Sequence, residues 1–177
     1  EDEIGVAAVA AGLDVEFALG VDGAMRTILE GGEVGDAIRG ENCGNAASRV
    51  AALPAVRAAL MRRQRDFRQF PGLIADGRDM GTVVFPDAEL KLFLTASAGV
   101  RALRRYKQLS ENGLDATLEC LTREIAERDA RDAERAVAPL RPAVDAEILD
   151  TTRLGVSEVR DWALERVARR LGVMENP

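Results

Sequence analysis

Apolar and polar positions in the first 70 residues predict one helix, a hairpin and two further helices. The alanine-rich stretch "DEIGVAAVAAG" (2–12) has the pattern of a helix that ends at its last glycine. Two alternating stretches, 13–19 and 25–31, flank "GVDGA" and predict a β-hairpin. A third short strand with a turn is expected in "GEVGDAIRG" (32–40). The two helices are expected over 45–53 and 54–70, the second opening on a proline at a tolerated first-turn position.

After residue 71 the pattern changes to short apolar runs of the kind found in buried parallel strands. Three such runs are "GLIAD" (72–76), "TVVF" (82–85) and "ELKLFLTA" (89–96). A helix is expected next, with Ser97 as its N-cap and Gly113 as its stop. The remaining predicted elements are a charged helix, a strand and an amphipathic helix, over 115–137, 146–150 and 157–171.

This alternation of strands and helices predicts an α/β fold with a parallel sheet. The first part of the chain, about 45 residues long, has the pattern of a separate α+β lobe. A length of 177 residues suits one compact domain with a small inserted lobe.

Composition narrows the classes of function. The chain has no histidine, which excludes histidine triads, histidine metal sites and histidine general bases. Its net charge of −6 argues against a general nucleic-acid binder. Cys43 and Cys120 lie far apart and form no metal motif or disulfide framework, so a reducing cytosol fits best. No apolar run approaches the roughly 20 residues of a membrane span.

A first candidate site is Gly77-Arg78-Asp79, which directly follows a predicted strand. Ligands in open α/β sheets bind beyond the carboxyl ends of strands. There the arginine would hold an anion and the aspartate would accept from an N–H donor. The alternative is a polar turn in which the two charges neutralise each other.

A second candidate is "ERDARDAER" (127–135), where three arginines share one helix face. They are Arg128, Arg131 and Arg135, and a proline-containing loop follows them. Three arginines on a mobile segment suit closure over a polyphosphate. The alternative is a solvated face of ion pairs, which also accounts for Asp129 and Asp132 on a neighbouring face.

Two further pairs carry weaker signals. Arg101 and Arg105 lie four residues apart at the start of a predicted helix, and the alternative is a basic helix surface. Ser48 and Arg57 lie on consecutive predicted helices, with no signal of their own.

Three stretches of the chain together resemble the bacterial cytidylate kinase family (CMP/dCMP kinases). They are "NAASRVAALPAVRAALMRRQR", "DGRDMGTVVFPDAELKLFLTAS" and "ERDARDAERAVAPL", in the family's order and spacing. The resemblance implies a P-loop nucleoside monophosphate kinase fold, with a parallel sheet flanked by helices. It also implies a small α+β NMP-binding lobe at 1–70, with an inserted hairpin and two helices, and a core domain at 71–177 with a helical lid near 127–142.

The function implied by this resemblance is ATP-dependent phosphorylation of CMP and dCMP, with Mg²⁺, by a cytoplasmic monomer. Asp79 would accept from the cytosine amino group, with Ser48 and Arg57 on the rest of the base edge. Arg78 and Arg135 would hold the CMP phosphate, while Arg128 and Asp132 would contact the ribose hydroxyls. The ATP side would take Arg131, from the lid, with Arg101 and Arg105 by looser analogy. The residues expected to act in catalysis are Arg128, Arg131 and Arg135.

The chemistry of cytosine independently suits these assignments. Its N4 amino group is a donor beside the N3 and O2 acceptors, so a carboxylate matches the first and a guanidinium the others. Uracil reverses the donor and acceptor pattern at positions 3 and 4, so a buried Asp79 would face an oxygen. A buried polar group left unpaired in this way costs about 1–3 kcal/mol. Phosphoryl transfer needs positioning and charge neutralisation rather than covalent help from the protein, so the lack of histidine is no obstacle.

One family feature is missing from these residues: a glycine-rich loop ending in Gly-Lys-Ser/Thr. The family places this loop and its strand upstream of the helix that opens the chain. We therefore expect the first strand and P-loop to be absent, through truncation of a longer protein, through a natural fragment, or because another chain supplies them. The alternatives to an active kinase are a non-catalytic CMP-binding fragment and a subunit completed by a partner.

Overall fold

The computed structural model describes residues 2–21, 23–38, 40–111 and 115–172. The contacts divide the chain into two compact units. The first comprises residues 1–74 with 135–137, and the second comprises 75–134 with 138–177. The functional division predicted from the sequence, an NMP-binding lobe at 1–70 and a core at 71–177, stays a prediction.

The part of the first unit that the structure describes contains four helices and a three-stranded antiparallel sheet. Its elements are α1 (Glu3–Gly12), β1 (Val15–Leu19), β2 (Met25–Leu29), β3 (Gly32–Glu33), α2 (Gly35–Ile38), α3 (Glu41–Val50) and α4 (Pro54–Asp66). The strands pair in the order β1-β2-β3. Helix α1 packs on α4, and the Glu3 carboxylate accepts from the Ala55 amide at 3.1 Å. Helix α4 opens on Pro54, and the Ala55 amide is one of its first-turn donors that have no partner within the helix.

The second unit contains three helices and a two-stranded parallel sheet within its described residues. Its elements are one π-helical turn (Met80–Val84), β4 (Leu92–Thr95), α5 (Ala98–Glu111), α6 (Leu118–Glu134), β5 (Glu147–Asp150) and α7 (Val156–Leu171). The strands β4 and β5 pair in register from Leu92 with Glu147 to Thr95 with Asp150. Their carboxyl ends therefore lie at the same edge.

An apolar seam holds α5 against α6. Ala102 and Leu109 of α5 are buried against Leu121 of α6, which is only 2% exposed. Ala116 and Ile125 pack on this cluster. Because Leu121 and Ile125 are four residues apart, they form one ridge of α6 that faces α5.

Hydrogen bonds fasten the segments beyond β4 and β5 to α5. Arg104 of α5 donates to the Thr151 hydroxyl at 3.1 Å and to the carbonyls of Thr151 and Leu154. The Thr151 hydroxyl donates in turn to the Thr95 carbonyl at 2.9 Å. Thr151 is 5% exposed, so these bonds satisfy polar groups that have left water.

An ion pair joins the segments that precede β4 and β5, at the amino ends of the two strands. Lys91, which precedes β4, donates to both carboxylate oxygens of Asp145, at 2.8 and 2.9 Å, and to the Pro86 carbonyl. The hydrogen bond from Lys91 lowers the pKa of the Asp145 carboxyl below its ordinary value.

Several predicted elements are confirmed. The hairpin, α1, the long helices α4 to α7 and the last strand appear where the apolar pattern places them. Val100 donates its amide to the Ser97 hydroxyl at 3.4 Å, as expected of an N-cap for α5. The predicted stop at Gly113 lies outside the described residues.

Two predicted strands are wrong. The segment 72–76 forms no strand, because its backbone meets no neighbouring strand among the described residues. The run 82–85 is no strand either, since its amides bond locally within the π-helical turn. A short apolar run that is buried in a turn has the same periodicity as a buried strand.

Other predictions differ in their bounds. Helix α3 begins four residues before the predicted 45–53 and ends at Val50, and α4 ends at Asp66 instead of residue 70. The region 32–40 holds a two-residue strand and an unpredicted short helix. Helix α6 ends at Glu134, three residues earlier than expected, so Arg135 lies just beyond it.

Candidate active site

The Asp79 carboxylate is buried at the start of the π-helical turn. Asp79 as a whole is only 7% exposed. Its backbone carbonyl accepts from the amides of Val83 and Val84, at 2.9 and 3.2 Å, and so fixes the turn. A buried carboxylate with this fixed backbone is suited to accept a hydrogen bond from a ligand donor.

Two arginines predicted for the site come together around the carboxylate of a third predicted residue, Asp132 of α6. Arg78 donates its Nε–H to the Asp132 carboxylate at 3.0 Å, and the Arg128 Nε lies 4.0 Å from the same oxygen. The Asp132 side chain is 3% exposed, whereas that of Arg78 is 43% exposed. One buried carboxylate thus organises two guanidiniums, whose side chains both reach solvent in part.

Two arginines of α6 carry buried nitrogen atoms with no hydrogen-bond acceptor among the residues that the structure describes. These atoms are Nε of Arg128 and Nη1 of Arg131. A buried donor of this kind normally has a partner, and a charged one is costly without it. The acceptor that would satisfy such donors is an anion with several oxygens.

Arg101 meets α6 at a second aspartate. Its Nη1 and Nη2 donate to the two carboxylate oxygens of Asp129, the first at 2.7 Å, and its Nε donates to the Ala96 carbonyl at 3.1 Å. The hydrogen bond to Asp129 raises the pKa of the Arg101 guanidinium above its ordinary value. The other predicted arginine of this helix, Arg105, donates to Gln108 at 2.8 Å.

The remaining predicted residues belong to the first unit. Ser48 is buried on α3, at 6% exposed, and Arg57 on α4 donates to the Ala51 carbonyl at 3.4 Å. Arg135, just past the end of α6, falls in the same unit by its contacts. The convergence of these three residues with Asp79 in one pocket stays a prediction.

Sequence reasoning missed the partner of Arg101. The sequence shows the spacing of Asp129 and Asp132, and a solvated face of ion pairs is one interpretation of it, but no signal in the sequence pairs Arg101 with Asp129. The structure instead gives each aspartate an arginine from another part of the second unit. The pairing of Arg101 with Asp129 depends on how α5 packs on α6, and a local sequence pattern does not predict that packing.

Two features, a cluster of metal-ligating side chains and a membrane-spanning helix, are absent from the described residues. They contain no group of three or more cysteine, aspartate or glutamate side chains arranged to hold a metal ion. None of the described helices is long and apolar enough to cross a membrane.

Comparisons with known proteins give the same family along almost the full chain. The family profile described as "Cytidylate kinase" matches residues 1–169. The cytidylate kinase of Nitrosococcus oceani is 61% identical over 152 residues, which cover 85% of this chain and 67% of that protein. The cytidylate kinases of Shewanella loihica and Klebsiella pneumoniae are 53% and 55% identical, covering 97% and 98% of this chain and 74% and 76% of those proteins. The chain therefore belongs to the cytidylate kinase family.

Proposed function

We propose that this protein transfers a phosphoryl group from ATP to CMP or dCMP, giving CDP or dCDP and ADP. It is a phosphotransferase of the nucleoside monophosphate kinase type, acting in pyrimidine nucleotide metabolism. The observation that carries the proposal is a pair of buried guanidinium nitrogens on α6, Arg128 Nε and Arg131 Nη1, which have no acceptor among the residues that the structure describes.

The charges around α6 favour a polyanionic ligand. Arg78 and Arg128 lie against the Asp132 carboxylate and Arg101 pairs with Asp129, while a buried nitrogen of Arg131 has no acceptor among the described residues. These guanidiniums gather along α6 in a chain whose net charge is −6. The ribose and phosphate oxygens of a nucleotide would satisfy the buried donors.

Recognition of the base would rest on Asp79, Ser48 and Arg57. The buried Asp79 carboxylate would accept from the cytosine N4 amino group, which uracil lacks. Arg57 and Ser48 would donate to the ring acceptors. With uracil the same carboxylate would face an oxygen, so the carboxylate selects for cytosine.

The phosphates would be held by arginines, which act by positioning and by neutralising charge that develops in the transition state. Arg78 and Arg135 would hold the CMP phosphate, while Arg128 and Asp132 would contact the ribose hydroxyls. Arg131 would contact the phosphates of ATP, and Arg101 and Arg105 would lie on the same side. Arg128, Arg131 and Arg135 are the residues that we assign to catalysis.

ATP supplies the transferable phosphoryl group, and the buried donors of α6 fit its phosphate oxygens. Mg²⁺ is expected to accompany the nucleotide, because Mg²⁺ in kinase sites is bound largely by substrate phosphates and water. The described residues offer no acidic cluster of their own for it. We further propose that the protein acts as a monomer in the cytoplasm, where its substrates are found.

The test is a coupled assay of ADP formation with CMP and MgATP, read beside calorimetric binding of CMP. We expect CMP-dependent turnover, a strong loss in Arg131→Ala, and no loss in Arg160→Ala, whose exposed side chain pairs with Asp161 on α7. The 177 residues contain no Gly-Lys-Ser/Thr loop. CMP binding without turnover would therefore favour a non-catalytic CMP-binding role for these residues alone. Absence of CMP binding would contradict the proposal.

A further inference from the structure

The Arg101–Asp129 pair lies at the end of the seam between α5 and α6. Leu121, Ile125 and Asp129 are spaced four apart, so they occupy one ridge of α6. The first two pack in the apolar cluster with α5, and the third receives Arg101. Asp129 is thus the polar end of a helix–helix interface.

The guanidinium of Arg101 is held on two sides. Asp129 accepts from both terminal nitrogens, and the Ala96 carbonyl, just after β4, accepts from Nε. A bidentate pair fixes direction as well as distance, because both groups are planar. Arg101 therefore links the carboxyl end of β4 to the last third of α6.

The link lies next to two residues that we assign to nucleotide binding, Arg128 to the ribose and Arg131 to the ATP phosphates. Arg128 directly precedes Asp129, and Arg131 follows it by two residues, so all three are within one turn of α6. Asp132 makes a similar link from the following turn to Arg78. The two aspartates hold the helix in place, whereas the neighbouring Arg128 and Arg131 keep donors without acceptors among the described residues.

We infer that Asp129 is a positioning residue for phosphoryl transfer, which holds α6 through Arg101 so that the guanidiniums of Arg128 and Arg131 are aligned for the ribose and the phosphates of the nucleotides. This inference rests on the proposed function. The pair is partly exposed, with 35% of the Arg101 side chain and 29% of the Asp129 side chain accessible. Pairs of this kind add little to stability, so the main effect of losing it falls on alignment.

The direct test compares Asp129→Asn with the unmodified protein in the coupled assay. The amide has the same shape but loses the charge and one of the two acceptors. We expect kcat to fall about tenfold to a hundredfold, as for a small misplacement of reacting groups. The melting temperature should stay near that of the unmodified protein. The matched control is Asp161→Asn, which removes an equivalent charge from the exposed pair with Arg160 and should leave kcat unchanged.

Two further variants separate positioning from a general structural role. Asp129→Glu restores the charge and both acceptors, and it is expected to recover most of the lost turnover. Arg101→Lys cannot form the bidentate pair, so its effect should not add to that of Asp129→Asn in the double variant. Additive effects, or a loss of melting temperature without a loss of kcat in the folded protein, would overturn the inference.

A binding measurement keeps this inference distinct from the proposed function. Inorganic tripolyphosphate is the probe, titrated by calorimetry into the unmodified protein and into Asp129→Asn. We expect its dissociation constant to rise about tenfold in the variant, whatever the outcome with CMP. Equal affinity in both proteins, or no affinity in either, overturns the role of Asp129. Absence of CMP binding would count against the proposed function but not against the role of Asp129.

Discussion

Asp79 and Arg78 are neighbours in sequence but have different surroundings. The first is buried at the start of a π-helical turn, and the second extends to Asp132 with much of its side chain exposed. The sequence raised the alternative that the two charges neutralise each other. The ion pair to Asp132 shows that Arg78 is organised by α6, so the two charges of the triplet do not simply neutralise each other.

Replacement of Asp79 tests the assigned base recognition. In Asp79→Ala the cytosine amino group would lose its acceptor, at a cost of about 1–3 kcal/mol. We expect kcat/KM for CMP to fall roughly tenfold to a hundredfold, since each 1.36 kcal/mol is a factor of ten. The ratio of CMP to UMP activity should fall with it, and the affinity for ATP should change little.

The control for this variant is Asp76→Ala, which removes a carboxylate from an exposed position three residues earlier. It should leave kcat/KM for both nucleotides unchanged. Unaltered CMP kinetics in Asp79→Ala would show that the base pocket is placed wrongly.

Single residues could be proposed from the sequence, but their partners could not. The spacing of Arg128, Arg131 and Arg135 predicted three arginines on one helix face, and the resemblance to a family supplied their roles. That Asp132 holds Arg78, 54 residues away in sequence, depends on packing between distant segments. Whether Ser48, Arg57 and Arg135 share a pocket with Asp79 stays a prediction.

Helix α6 combines two functions along its length. Its first half presents Leu121 and Ile125 to α5, and its second half presents alternating arginines and aspartates. The apolar half is the part that the 3.6-residue period predicts well. The charged half has the same period but gives no sign of which charges are paired.

The apolar half of α6 should carry much of the stability of its unit. Leu121→Ala removes a side chain that is 2% exposed and leaves a cavity against Ala102 and Leu109. We expect the free energy of unfolding to fall by about 2–5 kcal/mol. Urea unfolding followed by circular dichroism measures this change.

The matched control is Leu118→Ala, in the first turn of the same helix and 43% exposed. It should change the free energy of unfolding by no more than about 0.5 kcal/mol. Equal effects of the two substitutions would contradict the assignment of Leu121 to the core.

The elements that the sequence mispredicted share a physical cause. A strand needs a neighbour for its backbone groups, and the apolar run at 72–76 has none among the described residues. The run at 82–85 satisfies its amides through the carbonyls of Asp79 and Met80 instead. Elements whose pairing is local, such as the hairpin over β1 and β2, were predicted correctly because the partner follows within a few residues.

The division of the chain into two units predicts where proteases act first. Helix α4 ends at Asp66, and residues 66–78 are exposed and form no regular element after it. Exposed segments outside helices and strands are the preferred sites of nicking. We expect trypsin at low concentration to cleave first after Arg68, giving residues 1–68 and 69–177.

Intact-mass spectrometry of a short digest identifies the first cut. Arg68→Gln should delay the appearance of these two fragments, while Arg160→Gln, on α7, should not. A first cut within α5 or α6 would contradict the division.

The buried donors on α6, for which the described part of the chain offers no acceptor, also link the amount of this protein to its ligand. A nucleotide that binds only the folded form would stabilise it by about 2.7 kcal/mol at a hundredfold excess over the dissociation constant. Cellular quality control removes the unfolded fraction, so a change of this size alters abundance several-fold. Cells starved of the nucleotide are therefore expected to contain less of the protein, even with its synthesis unchanged.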